Sequence, residues 1–372
     1  MNIDPRRRLA LQFTALSIAL AAAVPAFAQG ADASLRSGKV FTSSNATGGN
    51  ELLVFAPAAT GELTLVARVP TQGQGTGAGL GSQGAVALSG DGRHVFVVNA
   101  ASNTVSTFAL RGSTAVLTSV VDSGGLHPIS VTESDGLVVV LDAGGAGNVA
   151  TFRNSDGTLR PVPGGNRPLS AAGGTAPAQV GFGADGDVLV VTEKATSRIT
   201  SYNVKRDGTL SAPIVTASSG STPFGFAFDR RDHLIVSEAV ASAASSYRFD
   251  DRGPAVPHLL TASLANTQAA ACWVATTPDG RYAYTANAGS SSLSSYRIAR
   301  DGTLTLANAV AGSTGVNAGA LDMAVTRDGD TLFALAPRSL QIVAFRVGWD
   351  GNLTTLGAAS GLPTGAAGLA AN

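Results

Sequence analysis

The sequence has almost no cysteine and little charge. Cys272 is the only cysteine among 372 residues, and charged residues make up 13% of the chain. A single cysteine excludes an internal disulfide, so packing and hydrogen bonds alone must hold the fold. Basic and acidic residues number 25 each. This balance gives no electrostatic basis for binding nucleic acid or an anionic membrane surface.

Long apolar runs are also missing, apart from one at the N-terminus. Three arginines at 6–8 precede an apolar stretch over 9–24 and the motif Ala26-Phe27-Ala28. This order is typical of a secretory signal peptide cleaved after Ala28. An uncleaved anchor is the alternative, although the apolar stretch is short for a membrane span. Either general secretion or twin-arginine export would fit.

The signal sets the predicted organisation and location of the chain. We expect a signal peptide over 1–28, a linker over 29–37 and one domain over 38–372, in the periplasm or secreted. Cleavage would remove three arginines and one aspartate, leaving 22 basic and 24 acidic residues and a net charge of −2. The mature protein would then have no membrane segment.

Glycine is abundant, with 45 residues, and many glycines follow aspartate at regular spacing. Pairs 44 to 50 residues apart lie at 91–92, 135–136, 185–186, 279–280 and 328–329, with Arg231-Asp232 in the remaining place. Asp-Gly favours tight hairpin turns, and this period is typical of propeller blades. Apolar runs such as His94–Val98 suit strands buried on both faces. The sequence predicts an all-β fold, a seven-bladed β-propeller of four-stranded antiparallel blades, rather than a solenoid.

The first and last repeat units are each incomplete. The first begins at 38–45 with a segment that resembles a second strand. The chain ends with 363–370, which resembles a first strand such as 223–228. We therefore expect the C-terminal strand to complete blade one as its innermost strand, which closes the ring and leaves no open sheet edge.

Propeller geometry places the ends of second strands and the starts of first strands at one rim. The ends of the second strands carry Asn45, Asn99, Asp142, Glu193, Glu238, Asn287 and Ala336. The starts of the first strands add Gln83, His127, Gln179, Phe224, Cys272, Trp273 and Asp322. We expect these residues to form one funnel at the mouth of the channel.

Three successive blades carry an acid at this rim, namely Asp142, Glu193 and Glu238. Asparagine or aspartate there can cap a turn by binding nearby backbone amides. Glutamate is a poorer turn former, and burial beside a like charge would raise its pKa toward that of a general base. His127 is a second acid-base candidate, or a hydrogen-bonded rim residue. Cys272 is expected to pack at the channel wall rather than act as a nucleophile.

Cofactor motifs are missing as well. Carboxylates on adjacent blades could meet a hard cation such as Ca²⁺, but nothing has metal-ligand spacing and the four histidines are scattered. No G-x-S-x-G, P-loop or dinucleotide fingerprint has a supporting context. We expect no cofactor and no metal, with calcium as the alternative.

Two repeats share a longer pattern, D-G-R-x-x-[YF]-x-x-N-x-x-S-x-[ST]-[VIL]-S-x-[YF], at Asp91–Phe108 and Asp279–Tyr296. This pattern resembles the seven-bladed lactonase family, which includes bacterial 6-phosphogluconolactonase and fungal carboxymuconate cyclase and is close to the YVTN-repeat propellers. The resemblance covers nearly all of the chain after the signal. It implies a propeller fold and, less specifically, hydrolysis of a lactone.

Enzymes of that family typically carry Pro-Arg-His at the start of one first strand and a glutamate at the end of the next strand. Glu193 matches the glutamate, but 177–179 reads Pro-Ala-Gln, so the arginine and histidine are absent. His127 is the nearest match to another family histidine, without a clean alignment. Lactone opening needs a group that holds the oxyanion, and strand alternation points Lys194 away from Glu193.

The resemblance and the signal together predict an exported lactonase for a small, unphosphorylated lactone, because the phosphorylated sugar lactone is a cytosolic metabolite. Glu193 would activate water, with Glu238 and His127 as further catalytic candidates. The predicted substrate contacts are Asp142, Gln179, Phe224, Trp273 and Asp322. The alternative is a noncatalytic propeller that binds a ligand, a glycan or a protein, since fold alone does not establish activity.

Overall fold

The computed structural model of the chain describes Met1 and residues 38–57, 62–112, 114–250 and 253–372. The linker over 29–37 and all of the predicted signal peptide except Met1 lie outside the described residues. The described residues from 38 onward belong to one compact unit over 32–372. No helix in this part of the chain is long and apolar enough to cross a membrane.

Every named element of the described chain is a β-strand, and the strands form seven sheets. The strands of blades one to three are β1 Val40–Ser43, β2 Glu51–Pro57, β3 Leu63–Pro70; β4 Val86–Leu88, β5 His94–Asn99, β6 Thr104–Arg111, β7 Thr114–Asp122; β8 Pro128–Ser134, β9 Leu137–Asp142, β10 Asn148–Ser155, β11 Thr158–Pro161 and the short β12 Arg167–Pro168. Those of blades four and five are β13 Pro177–Phe182, β14 Val188–Glu193, β15 Arg198–Asn203, β16 Ile214–Ala217; β17 Pro223–Phe228, β18 Leu234–Glu238, β19 Ala243–Arg248 and β20 His258–Ala265. Those of blades six and seven, with the closing strand, are β21 Ala271–Thr276, β22 Tyr282–Asn287, β23 Ser292–Ile298, β24 Leu304–Ser313; β25 Met323–Val325, β26 Thr331–Ala336, β27 Gln341–Val347, β28 Leu353–Ser360 and β29 Ala367–Ala371.

The C-terminal strand closes the ring, as the sequence predicts. β29 pairs antiparallel with β1, with Phe41 opposite Ala370 and Ser43 opposite Ala367, so that blade one has the order β29-β1-β2-β3. The Thr42 hydroxyl donates to the carbonyl of Gly368 at 2.6 Å. The predicted seven-bladed, four-stranded antiparallel propeller is therefore confirmed.

Asp-Gly turns join the first two strands of a blade. In blade two the Asp91 carboxylate accepts hydrogen bonds from the Ser89 hydroxyl at 2.6 Å and the Arg93 amide at 2.9 Å. Gly92 follows with φ of 71°, a left-handed conformation that glycine adopts at little cost. These local contacts explain why the turn motif alone indicates the blade period.

The hydrophobic core lies between neighbouring blades. All residues of second strands such as β5, β14 and β26 are buried, which agrees with the apolar runs at their centres. Between blades three and four, Leu141 of one second strand shares a cluster with Leu189 of the next. Each blade thus covers its neighbour, and the channel is lined by the short first strands.

Candidate functional site

The strand register brings the predicted site residues to one end of the channel. The starts of β8, β13 and β17 pair with the ends of β9, β14 and β18, where the three acids lie. The residue before each first strand is left-handed in blades three to six. These residues are His127, Ala176, Thr222 and Ala270, with φ between 45° and 59°. This end of the channel is called the mouth below.

Glu193 lies fully buried at the mouth, and all of its acceptor bonds go to the surrounding chain. One carboxylate oxygen accepts from the Ser170 amide at 2.9 Å and the Thr200 hydroxyl at 2.7 Å. The other accepts from the Ser170 hydroxyl and, at 2.9 Å, from the Thr196 hydroxyl. Four donors hold this carboxylate, and two of them belong to Ser170 in the segment that leads in from blade three.

Glu238 occupies the same place in blade five but has fewer partners. One oxygen accepts from the Gly220 amide at 2.7 Å, whereas the other is buried and makes no hydrogen bond among the described residues. A Cβ on Gly220 would lie 2.0 Å from that second oxygen. The glutamate therefore fills the space that a side chain at position 220 would need.

Asp142 repeats the arrangement in blade three. Its carboxylate accepts from the Ser123 hydroxyl at 2.6 Å, and burial raises its pKa to about 7 despite that hydrogen bond. In blade six the Asn287 amide oxygen accepts from Asn266 at 2.8 Å. The end of the second strand thus fastens the segment that arrives from the preceding blade. The hydrogen bonds of these side chains therefore join neighbouring blades, and their predicted part in one funnel at the mouth stays a prediction.

His127 begins blade three and contacts its surroundings through its backbone. Its amide donates to the Asn103 side chain at 2.8 Å, and its carbonyl accepts from Ala143 at 3.0 Å. Its ring is half-buried and makes no hydrogen bond with the described residues. The predicted catalytic role of His127 stays a prediction, without a carboxylate partner in this geometry.

Two glutamine side chains each bind both backbone groups of a residue in another blade, as a neighbouring strand would. The Gln179 side chain accepts from the Phe226 amide at 2.7 Å and donates to the Phe226 carbonyl at 3.0 Å. Gln83 does the same across the channel, accepting from the Val274 amide at 2.9 Å and donating to the Val274 carbonyl at 2.7 Å. Both side chains therefore have their amide groups occupied.

The Gln83 contact, together with Trp273, joins opposite sides of the ring. The indole of Trp273 donates to the Ser82 carbonyl at 2.9 Å. Ser82 and Trp273 line a cavity of about 280 Å³ at the mouth, which we call the mouth cavity; it is lined by Gly79, Leu80, Gly81, Ser82, Trp273, Leu321, Asp322, Leu335, Ala366, Ala367 and Gly368. A second cavity, of about 320 Å³, lies along the first strands and includes Gln83 and Gln179.

Asp322 lines both cavities and is the only ionisable residue among those described around the mouth cavity. Its carboxylate accepts from the amides of Gly84 and Met323, each at 3.0 Å, and from the amide of Leu369. Burial outweighs these three bonds and raises the pKa of Asp322 to about 7. The group is therefore set to change protonation near neutral pH.

Lys194 is the residue that sequence reasoning passed over. Its amino group donates to the Gly81 carbonyl and lies 4.9 Å from the centre of the Phe224 ring, which packs on Trp273 with 4.8 Å between ring centres. Burial lowers the pKa of Lys194. This side chain points away from Glu193, as strand alternation predicts, and reaches the edge of the mouth cavity at Gly81.

Cys272 lies beside this aromatic pair and is 7% exposed. Burial raises the pKa of its thiol to about 12, and Lys194 acts in the opposite direction. A thiol of this kind is protonated at neutral pH and suits wall packing better than nucleophilic attack. No three histidine, cysteine, aspartate or glutamate side chains in the described chain come together as a metal-ligand set.

The closed ring of seven antiparallel sheets, six of four strands and one with the additional short β12, defines the chain as a seven-bladed β-propeller. The sequence profile described as "Lactonase, 7-bladed beta-propeller" matches residues 48–163 and 255–367, more than half of the chain. The protein therefore belongs to the seven-bladed β-propeller lactonase family, and the resemblance stated from its repeats is confirmed.

Solved structures share the fold at low sequence identity. A protein of unknown function from Desulfotomaculum acetoxidans is 15% identical, with a TM-score of 0.70 over 90% of this chain and 98% of that one. A candidate 6-phosphogluconolactonase from Bacteroides fragilis is 18% identical, with a TM-score of 0.68 over 90% and 98%. A periplasmic gluconolactonase from Pseudomonas aeruginosa is 16% identical, with a TM-score of 0.65 over 89% and 98%. No protein of curated function matches the sequence.

Proposed function

We propose that the protein hydrolyses a small, unphosphorylated lactone in the mouth cavity, outside the cytoplasm. Membership of the lactonase family supports ring-opening hydrolysis. The observation that carries the proposal is Asp322, a buried carboxylate that lines this cavity. The N-terminal signal pattern over 1–28 supports export.

Asp322 has the lone pairs that a general base needs. An ionised carboxylate offers about four acceptor sites, and three backbone amides occupy three of them. A water bound at the remaining site would give a proton to the carboxylate as its oxygen attacks the lactone carbonyl. The tetrahedral intermediate then breaks the ring C–O bond, and the proton passes from Asp322 to the leaving alkoxide, giving a hydroxy acid.

Lys194 supplies the cation for the developing oxyanion in this proposal. Its amino group already lies at Gly81, on the edge of the mouth cavity. It takes the place of the arginine that the family pattern has at the start of β13, where this chain has Ala178. A donor of this kind acts most strongly where water is excluded.

Glu193 and Glu238 hold the ring together in this proposal and do not activate water. The saturation of Glu193 by four donors also favours the second candidate function, a binding propeller without catalysis. In that case the mouth cavity would hold a ligand, and Lys194 and Asp322 would contact it without bond breaking.

Hydrolysis can be tested by following acid release from a panel of unphosphorylated lactones. We expect Asp322→Asn to lower kcat/KM by about 10²-fold or more, the range for loss of a general base. We expect Lys194→Met to lower it by about 10²-fold, as for loss of an oxyanion donor. Lys205→Met is the matched control, because Lys205 is exposed on an outer turn.

Melting temperatures of all variants would show whether lost activity reflects lost folding. Full activity in folded Asp322→Asn would refute the assignment of the base. A protein that hydrolyses none of the lactones but binds one saturably, with binding lost in Lys194→Met, would establish the binding propeller instead.

A further inference from the structure

The walls of the mouth cavity are almost entirely apolar. Leu80, Leu321, Leu335 and Trp273 supply its large side chains, and glycine or alanine stands at five further positions. Its volume of about 280 Å³ lies just below the usual range for ligand pockets, about 300–1,000 Å³. Such a cavity favours a small molecule with hydrocarbon surface, because apolar burial drives its binding.

The polar groups around the cavity are already bonded to the protein. The Trp273 indole donates to Ser82, and both amide atoms of the adjoining Gln83 pair with Val274. Asp322 accepts from three backbone amides. Each sugar hydroxyl buried here without a partner would cost about 1–3 kcal/mol, so a polyhydroxylated ring fits poorly.

The charges around the cavity disfavour an anionic substrate. No arginine or lysine is among the described lining residues, so Lys194, beside Gly81 at the edge of the cavity, is the single cation placed near the substrate. The one ionisable lining group, Asp322, is an acid that would repel a second anion once ionised. A phosphate or carboxylate on the substrate would therefore lack the paired donors that such groups need.

We propose that the substrate is an uncharged lactone with a short saturated alkyl chain, and not a sugar lactone. This inference rests on the proposed function, and it specifies the chemical class of molecule that the same cavity takes. The alkyl chain would lie against Leu80, Leu321 and Leu335, while the lactone carbonyl faces Asp322 and Lys194. Each additional buried methylene contributes about 0.8 kcal/mol, or about fourfold in affinity.

The test compares γ-valerolactone, γ-octalactone and γ-decalactone with glucono-δ-lactone as substrates of the purified protein. We expect kcat/KM to rise about fourfold per methylene until the cavity is full, and the sugar lactone to be the poorest substrate. Leu80→Asn should flatten the chain-length dependence, whereas Leu259→Asn, at an exposed leucine of β20, should preserve it. Faster hydrolysis of glucono-δ-lactone than of every alkyl lactone would overturn the inference and leave the hydrolase proposal standing.

Binding can be measured independently of hydrolysis because the chain has only two tryptophans. Trp349 is 83% exposed, so Trp349→Phe leaves Trp273 as the fluorescent reporter in the cavity. Quenching that strengthens with alkyl length, without hydrolysis, would support the ligand class and refute the catalytic proposal. No quenching and no hydrolysis with any alkyl lactone would refute the inference, and the same result with glucono-δ-lactone as well would refute both proposals.

Discussion

The closing strand β29 makes a strong prediction about stability. Its removal, by deleting 367–372, would take away the innermost strand of blade one and expose β1. Blade one would then resemble a three-stranded sheet with a free edge at the channel, and no other described strand can replace the missing one. We expect the whole propeller to be destabilised, because each blade is packed between two neighbours.

The size of the effect follows from the contacts that the deletion removes. Leu369 is 5% exposed, and its burial contributes about 2 kcal/mol. The bond from Thr42 to Gly368 and the two bonds between Lys39 and Asn372 contribute about 1 kcal/mol each. The loss is about 5 kcal/mol before the rest of the strand ladder is counted, comparable to the total stability of many proteins, about 5–15 kcal/mol.

Chemical unfolding followed by circular dichroism and tryptophan fluorescence measures this loss. We expect the truncated protein to unfold at much lower denaturant concentration, or to be unfolded without it. The milder Leu369→Ala should lose about 2–5 kcal/mol, whereas Val316→Ala, at a residue that is 94% exposed, should change little. A truncated protein with an unchanged unfolding midpoint would refute ring closure as a source of stability.

Three further predictions concern the buried acids. Glu193→Gln should lower the free energy of unfolding by about 1–3 kcal/mol because charged hydrogen bonds are lost. Glu238→Gln should lower it by less, because one oxygen of Glu238 has no donor. Unfolding midpoints compare the two variants, and equal losses would contradict the difference in their partners. The pKa of Asp142 is raised from 3.8 to about 7 in the folded protein. The contribution of this protonated carboxyl to the free energy of unfolding is therefore fully present below about pH 4 and is lost as pH rises to about 7. Asp142→Asn should flatten that slope, and an unchanged slope would show that another group causes it. A general base acts in its ionised form, so we expect kcat/KM to rise with pH through about 7 as Asp322 ionises. A flat profile would exclude Asp322 as the base.

The fold could be predicted because its signals are local and repeated. The Asp-Gly turns are stabilised by hydrogen bonds between residues two positions apart, such as Asp91 and Arg93. The turn can therefore be predicted from the motif alone. The incomplete first unit and the surplus segment at 363–370 indicated the closing strand. Neither inference required knowledge of which side chains meet across the ring.

The site was harder to predict because its contacts join distant segments. The Ser170 donors that hold Glu193 come from a connection 23 residues earlier, whose path depends on how two blades pack. Strand alternation predicts that the Lys194 side chain points away from Glu193. The sequence did not reveal that the amino group would lie at Gly81, on the edge of the mouth cavity. The partner of Gln83 lies 191 residues away, where no spacing rule applies.

The contact between Gln83 and Val274 also bears on how the protein folds and moves. Most contacts between blades join blades that are adjacent in sequence. Such contacts can form one after another along the chain. A contact across the ring, 191 residues apart in sequence, forms only after a large loop has closed. Once formed, it joins blades two and six directly, so the relative position of these two blades does not depend only on contacts between neighbouring blades.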